Sequence, residues 1–160
     1  MTALEEFNEL RYQDALRKNS SWQRHWMKPM SDKTANGLTR MIMEWCRLHG
    51  YMAARVNSMG IPVDNRIVVQ DVTGQKRIIG SKGWRPSGST KGAADLSLIC
   101  NGKAIEVEIK IGKDRQSPAQ KEYQRQVEQA GGTYLIARTF TDFVQQIKFI
   151  LNYQTENNLT

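Results

Sequence analysis

Soft metal ligands and thiol nucleophiles are scarce in this 160-residue sequence, which holds two cysteines and two histidines. Cys46 lies in a helical pattern and Cys100 at a strand end, without a CxxC spacing or a Cys/His cluster, so no zinc site is expected. No serine or cysteine triad is visible. His25 and His49 lack a partner motif and default to surface or helix-end roles; His49, in the last turn before Gly50, suits the negative end of a helix dipole. No apolar run approaches the roughly 20 residues that span a bilayer, and there is no signal-peptide pattern; the expectation is a cytoplasmic protein without membrane contact. No internal repeat is found. Acids are in the minority: 16 Asp and Glu against 23 Lys and Arg give a net charge of +7 and a pI near 9.6, which favours a polyanionic partner, nucleic acid best of all. The chain is 39% hydrophobic with four Trp, enough for one domain with a core and too apolar for disorder.

The segment from about Thr2 to Lys18 reads as a helix, with Leu4, Phe7, Leu10 and Leu16 apolar and charges between them, although its facing is not cleanly periodic. A linker, Ser20 to Asp32, is rich in Trp, Arg and Lys; DNA contact is one reading of it, and packing of its indoles on the domain is the expected one. Leu38, Met41, Ile42, Trp45 and Leu48 follow the 3.6 spacing of a core helix over Thr34 to His49, closed by Gly50. Tyr51 to Asn57 predicts a strand, and Arg66 to Val72 a hairpin with Lys76 to Ile79 across Thr73-Gly74. The Gly-, Ser- and Pro-dense stretch from Gly80 to Gly92 predicts a loop. Pro118 to Ala130 is a helix burying Ala119, Tyr123, Val127 and Ala130 and stopped by Gly131-Gly132. The uniformly apolar Thr133 to Ala137 then predicts a central strand. A last helix runs from Thr141 to Tyr153, and Gln154 to Thr160 should fray. The chain divides into an N-terminal helix and linker (1–32), a core domain (33–153) and a tail (154–160).

The segment GAADLSLICNGKAIEVEIKIGKDRQSPAQ, Gly92 to Gln120, concentrates the chemistry. Asn101-Gly102 between alternating apolar runs predicts a two-residue type I′ hairpin, because both residues tolerate positive φ. Cys100 then opposes Lys103, Leu98 opposes Ile105, Ser97 opposes Glu106, Leu96 opposes Val107 and Asp95 opposes Glu108. Directly opposed residues have Cβ atoms roughly 4.5–5.5 Å apart, where like charges repel, so a cation belongs near Asp95 and Glu108. The period of two sends Glu106, Glu108 and Lys110 to one face and Ile105, Val107, Ile109 and Ile111 to the core.

Three roles compete for the polar face. One is a solvated hairpin surface; the Asp95–Glu108 opposition argues against it. A second is a structural calcium or ion-pair site, for which Lys110 is an odd neighbour. The third is a catalytic magnesium site, in which carboxylates and waters hold the ion and Lys110 orients a water or stabilises charge on a pentacoordinate phosphorus.

An Asp, then about a dozen residues, then Glu-x-Lys resembles the signature of the PD-(D/E)xK nucleases. Lys91-Gly92-Ala93-Ala94-Asp95, Val107-Glu108-Ile109-Lys110, Arg115-Gln116-Ser117-Pro118-Ala119-Gln120 and Gly131-Gly132 before an apolar strand are similar, in that order, to the VRR-NUC branch, over roughly Gly50 to Phe143. The resemblance implies an α/β fold: a restriction-endonuclease-like sandwich with a central mixed β-sheet flanked by helices. It also implies a Mg²⁺-dependent endodeoxyribonuclease, with Mn²⁺ able to substitute. Asp95, Glu108 and the Ile109 backbone carbonyl would bind metal, Lys110 would assist the water and Gln120 would support the site. Family members usually carry a further acid near the start of the helix before the first core strand. Here that region reads Thr34-Ala35-Asn36-Gly37-Leu38; the nearest acids are Asp32 and Glu44, and Glu106 is a candidate replacement ligand. Ser117-Pro118-Ala119-Gln120 is also a capping box, so Gln120 has two roles open to it.

Lys82, Trp84, Arg85 and Lys91 before Asp95, and Lys113, Arg115 and Lys121 after Lys110, are candidate DNA contacts, with Trp84 available to stack on an unpaired base. A solvated surface explains the same charges. The expected activity is hydrolysis of DNA phosphodiesters by an activated water. The alternative is a non-catalytic nucleic-acid-binding module with a degenerate site, and RNA is a weaker candidate substrate. A homodimer would place one site on each strand, and a helicase or another DNA-processing partner is compatible with the sequence.

Overall fold

A computed structural model describes residues 1–56, 60–85, 88 and 90–152. The expected end of the first strand at Asn57 and the fraying tail from Gln154 onward lie outside the described residues. Thr2 caps helix α1 (Ala3–Lys18): its hydroxyl accepts from the Glu5 amide at 3.2 Å while the Glu5 carboxylate accepts from the Thr2 amide at 2.7 Å. Of the apolar residues on α1 only Phe7 is fully buried, its ring 4.7 Å from that of Phe140. The linker, with one 3₁₀ turn at Arg24–Trp26, folds back on α1, and Met30 near its end packs against the core. Arg24 lies over the Tyr12 ring at 4.0 Å and pairs with Glu9 at 2.7 Å, and Trp22 meets Trp26 edge-on at 5.6 Å. Helix α2 (Ala35–Leu48) is capped by the Thr34 hydroxyl and buries Leu38, Met41, Ile42, Trp45 and Cys46. His49 closes it, its Nδ1 2.8 Å from the Trp45 carbonyl.

Eight strands follow among the described residues: β1 (Met52–Arg55), β2 (Ile61–Asp64), β3 (Ile67–Gln70), β4 (Lys76–Ile79), β5 (Lys82–Arg85), β6 (Leu96–Cys100), β7 (Lys103–Ile109) and β8 (Thr133–Ala137). Helix α3 (Pro118–Gln129) stands between β7 and β8, and α4 (Phe140–Asn152) ends the described chain. The central sheet has the order β1-β6-β7-β8, with β6–β7 antiparallel and β7–β8 parallel. The molecule is thus α/β, a mixed central sheet flanked by helices. Its inner face packs Leu96, Leu98, Ile105 and Val107 against Leu38, Ile42, Phe143 and Ile147, all fully buried. No described helix is long and apolar enough to cross a membrane.

Three expectations are corrected. β8 is an edge strand, not a central one; it is apolar because helices cover it, and Tyr134, Leu135 and Ala137 are buried. Lys82–Arg85 is a strand paired with Ile61–Asp64, where a loop was expected and the first of these strands was not foreseen. Pro62 and Gly83 hide the alternation that marks strands. The pairs β2·β5 and β3·β4 keep one register from Ile61↔Arg85 to Gln70↔Lys76, with the Asn65 amide donating to the Ser81 carbonyl at 3.2 Å between them, so 61–85 is a single long antiparallel ribbon. Finally, α3 buries none of its residues fully; Tyr123 and Val127 are half-buried and Ala130 is exposed.

Candidate active site

The site begins with a turn. Asn101 at φ 49 and Gly102 at φ 77 adopt the two positive dihedrals of a type I′ hairpin, which sets Cys100 opposite Lys103 and carries the register without slip to Leu96 opposite Val107. Asp95 stands one residue before β6, at the next position outward. Its Oδ2 accepts the Ile109 amide at 2.9 Å, so the side chain takes over the strand pairing and is anchored on β7 beside Glu108.

Glu108 on β7 and Lys110 just past its end lie side by side, 2% and 5% exposed. Glu108 Oε1 accepts from Lys110 Nζ at 2.9 Å and from Gln120 Nε2 at 2.5 Å, and Oε2 accepts from the Tyr134 hydroxyl at 3.4 Å. Burial raises the Glu108 carboxyl above its ordinary value; the Lys110 hydrogen bond opposes this and the Asp95 charge adds to it. Burial pulls Lys110 down, but the hydrogen bond and charge of Glu108, with Asp114 at 3.5 Å, outweigh it and hold the ammonium more firmly protonated than usual. Tyr134 is raised by burial and then by the Glu108 charge, so its hydroxyl stays a donor.

Gln120 performs both roles open to it. The Ser117 hydroxyl accepts the Gln120 amide at 3.2 Å, while Gln120 Oε1 accepts the Ser117 amide at 2.9 Å and Lys110 Nζ at 3.1 Å. The capping box fixes the side chain, and its free amide hydrogens face Glu108. The first turn of α3 is therefore keyed into the carboxylate–lysine pair.

Asp95, Glu108, Lys110 and Gln120 come together as expected. The other assignments divide. Glu106 shares the face of β7 with Glu108 and is half-buried; its Oε2 is buried without a hydrogen-bond partner. Ile109 contributes its amide to Asp95. Asp32 is committed elsewhere, accepting the Phe140 amide at 2.9 Å at the start of α4, and Glu44 pairs with Arg47 at 2.9 Å, so neither supplies an extra site acid. Lys91, Lys113, Arg115 and Lys121 are exposed on segments flanking the site, whereas Lys82, Trp84 and Arg85 sit on the ribbon, Trp84 67% exposed. Three participants were not foreseen, the first being Asp114, four residues beyond Lys110 and 3.5 Å from its ammonium. Tyr134 lies opposite Glu106 on β8, where an isolated phenol in an apolar strand signals a hydroxyl in need of a partner. Arg138 donates to the Gly112 and Asp114 carbonyls at 3.3 Å, bracing the turn that follows Lys110.

Among the described residues no group of three or more His, Cys, Asp or Glu side chains forms a metal cluster. The pair Asp95 and Glu108 nevertheless suits a hard divalent cation, since magnesium binds through one or two carboxylates and keeps several waters. The raised Glu108 and the unpartnered Glu106 oxygen mark negative charge that lacks full compensation. No protein-family model matches the sequence, and no curated protein or solved structure matches it significantly.

Proposed function

We propose that this chain is a divalent-metal-dependent endodeoxyribonuclease of the restriction-endonuclease-like fold, in the VRR-NUC branch of the PD-(D/E)xK nucleases, acting on phosphodiester bonds. The observation that carries the proposal is the buried Glu108–Lys110–Gln120 network beside Asp95, joining adjacent strands and the N-terminus of α3. Asp95 and Glu108, with the Ile109 carbonyl and Glu106 as candidate further ligands, would hold Mg²⁺ or Mn²⁺. The ion, when bound, would polarise the phosphoryl oxygen and acidify a water.

The protein's own residues supply the rest. Lys110, its Nζ fixed by Glu108 and Gln120, presents a positioned positive charge where a pentacoordinate phosphorus gathers negative charge. Its raised pKa makes it an orienting and stabilising cation, not a general base, at neutral pH. Gln120 holds Glu108 and Lys110 in place. Lys91, Lys113, Arg115 and Lys121 offer phosphate contacts around the site.

A second reading, a non-catalytic DNA-binding module, is favoured by one observation. Lys110 and Gln120 already occupy Glu108 Oε1, and a metal would compete with them. The test is cleavage of labelled duplex, flap, four-way junction and single-stranded DNA in Mg²⁺ and Mn²⁺, with EDTA and Glu108→Ala as controls. The nuclease reading expects metal-dependent cutting lost in Glu108→Ala. It also expects millimolar Mg²⁺ to raise the melting temperature of the wild type and not that of the variant, as ligand linkage requires. Binding without cutting in any divalent ion supports the module.

A further inference from the structure

Among the described residues, the strands of the ribbon 61–85 pair only with each other, and they do not pack extensively on the body. An isolated two-stranded ribbon is marginal in water, yet this one exposes apolar side chains on both faces. Val68 and Ile78, opposite one another on one face, are 66% and 68% exposed, and Ile67 and Ile79, opposite on the other, are 60% and 54% exposed. Val72 at the tip is fully exposed. Such a surface is expected to be covered in the working protein.

Charge selects what covers it. Arg66, Lys76, Arg77, Lys82 and Arg85 face only Asp64 and Asp71 within the ribbon, an excess of three positive charges. The acids are occupied. Asp64 is clamped by Arg66 at 2.7 and 2.8 Å, and Asp71 accepts from Thr73 and Gln75 inside the turn. A polyanion is therefore preferred to a second copy of this basic chain. Dimensions agree: the ten residues 61–70 extend for roughly 33 Å, close to one turn of duplex at about 34 Å. A duplex major groove, roughly 12 Å wide, admits a two-stranded ribbon. The apolar pairs also have partners there, in thymine methyls, or as wedges between base steps.

We propose that Ile61–Arg85 is a DNA-binding arm that lies along the groove of a duplex, its cations on the phosphates and its apolar tip against the bases. The arm rests on the nucleic-acid partner proposed above but not on catalysis, and it makes the ribbon the anchor of the substrate at a distance from Asp95 and Glu108.

The test measures affinity for duplex and single-stranded DNA in EDTA across a salt series, for the full chain and for Arg66→Ala/Lys76→Ala/Arg77→Ala. The expected result is a loss of at least about tenfold in duplex affinity and a salt slope shallower by about 2–3, with unchanged circular dichroism. A second measurement needs no variant: duplex DNA should protect Lys76 and Lys82 of the wild type from acetylation. Unchanged affinity and slope in the variant, with Lys76 and Lys82 unprotected, overturn the arm. So does a wild-type dimer in sedimentation that Val68→Ser/Ile78→Ser dissolves while both proteins bind DNA equally, since the ribbon then serves self-association. Cleavage is scored separately in Mg²⁺. Cutting with an indifferent arm sinks the arm alone, and arm-dependent binding without cutting sinks the nuclease alone.

Discussion

Removing the Lys110 ammonium leaves Glu108 buried beside Asp95 with only the Gln120 amide and a long contact to the Tyr134 hydroxyl to solvate it. Loss of one partner from a buried pair costs far more than the pair contributes. Lys110→Met is accordingly expected to lower the unfolding free energy by about 3–5 kcal/mol in urea titrations; a change under about 1 kcal/mol, the range of a surface pair, would show the site to be wetter than described. Glu108 also sets a pH dependence. Because burial above all raises its carboxyl, the folded protein holds that proton more tightly than the unfolded chain. Stability should fall as pH rises from the ordinary value of 4.5 through the raised folded value, and the loss should stay constant above both. Glu108→Gln cannot titrate. Its stability relative to wild type should climb across that window in EDTA, and a flat difference would contradict the raised pKa. Asp95, Glu108, Lys110 and Gln120 were legible in the sequence because one short turn and one capping box fix their positions locally. Tyr134 and Arg138 were not, because they arrive from a parallel strand whose register is set by packing and not by a turn.

At the scale of elements, the seating of α3 on the loop before Asp95 decides whether the site is assembled. Gly92 has φ +82, and a Cβ there would meet the Ala119 carbonyl oxygen at 2.3 Å and the Gln120 amide nitrogen at 2.8 Å, so the first turn of α3 rests directly on its backbone. Gly92→Ala would force α3 away, and with it Gln120 from Glu108 and Lys110. The substitution should cost at least about 2 kcal/mol, combining left-handed strain with the clash. It should abolish the Mg²⁺-dependent rise in melting temperature although every proposed ligand is retained. Gly102→Ala, at φ +77 with nothing within 4 Å, isolates the strain from the clash and should leave the Mg²⁺ response intact. The helices and the β6–β7 hairpin were readable because caps, glycine stops and 3.6-residue spacing are local signals. The outer half of the ribbon was readable for the same reason. Its inner half was not: Ile61–Asp64 is short, contains a proline and finds its partner only through the continued register of the hairpin. The edge position of β8 was equally hidden, since a strand covered by helices is apolar wherever it stands in the sheet.

Across the whole molecule, stability is unevenly distributed. β6 and β7 bring Leu96, Leu98, Cys100, Ile105 and Val107 into a core where none is exposed, and they hold the centre of the four-stranded sheet. The ribbon has the same kind of cross-strand hydrogen bonds but little covering them. Local opening free energies follow such differences. Amides of β6 and β7 should therefore exchange with deuterium only through global unfolding, while those of β2 to β5 should exchange orders of magnitude faster in the free protein. The same experiment with duplex DNA at low salt tests how the parts are coupled. If the ribbon is the arm and the body carries the chemistry, protection should rise in 61–85 and in the segments holding Lys91, Lys113 and Arg115, while β6 and β7 stay unchanged. Protection confined to the body would leave the ribbon's exposed valines and isoleucines unexplained by nucleic acid. Slow exchange of the ribbon in dilute, DNA-free protein would mean that another copy of the chain already covers it.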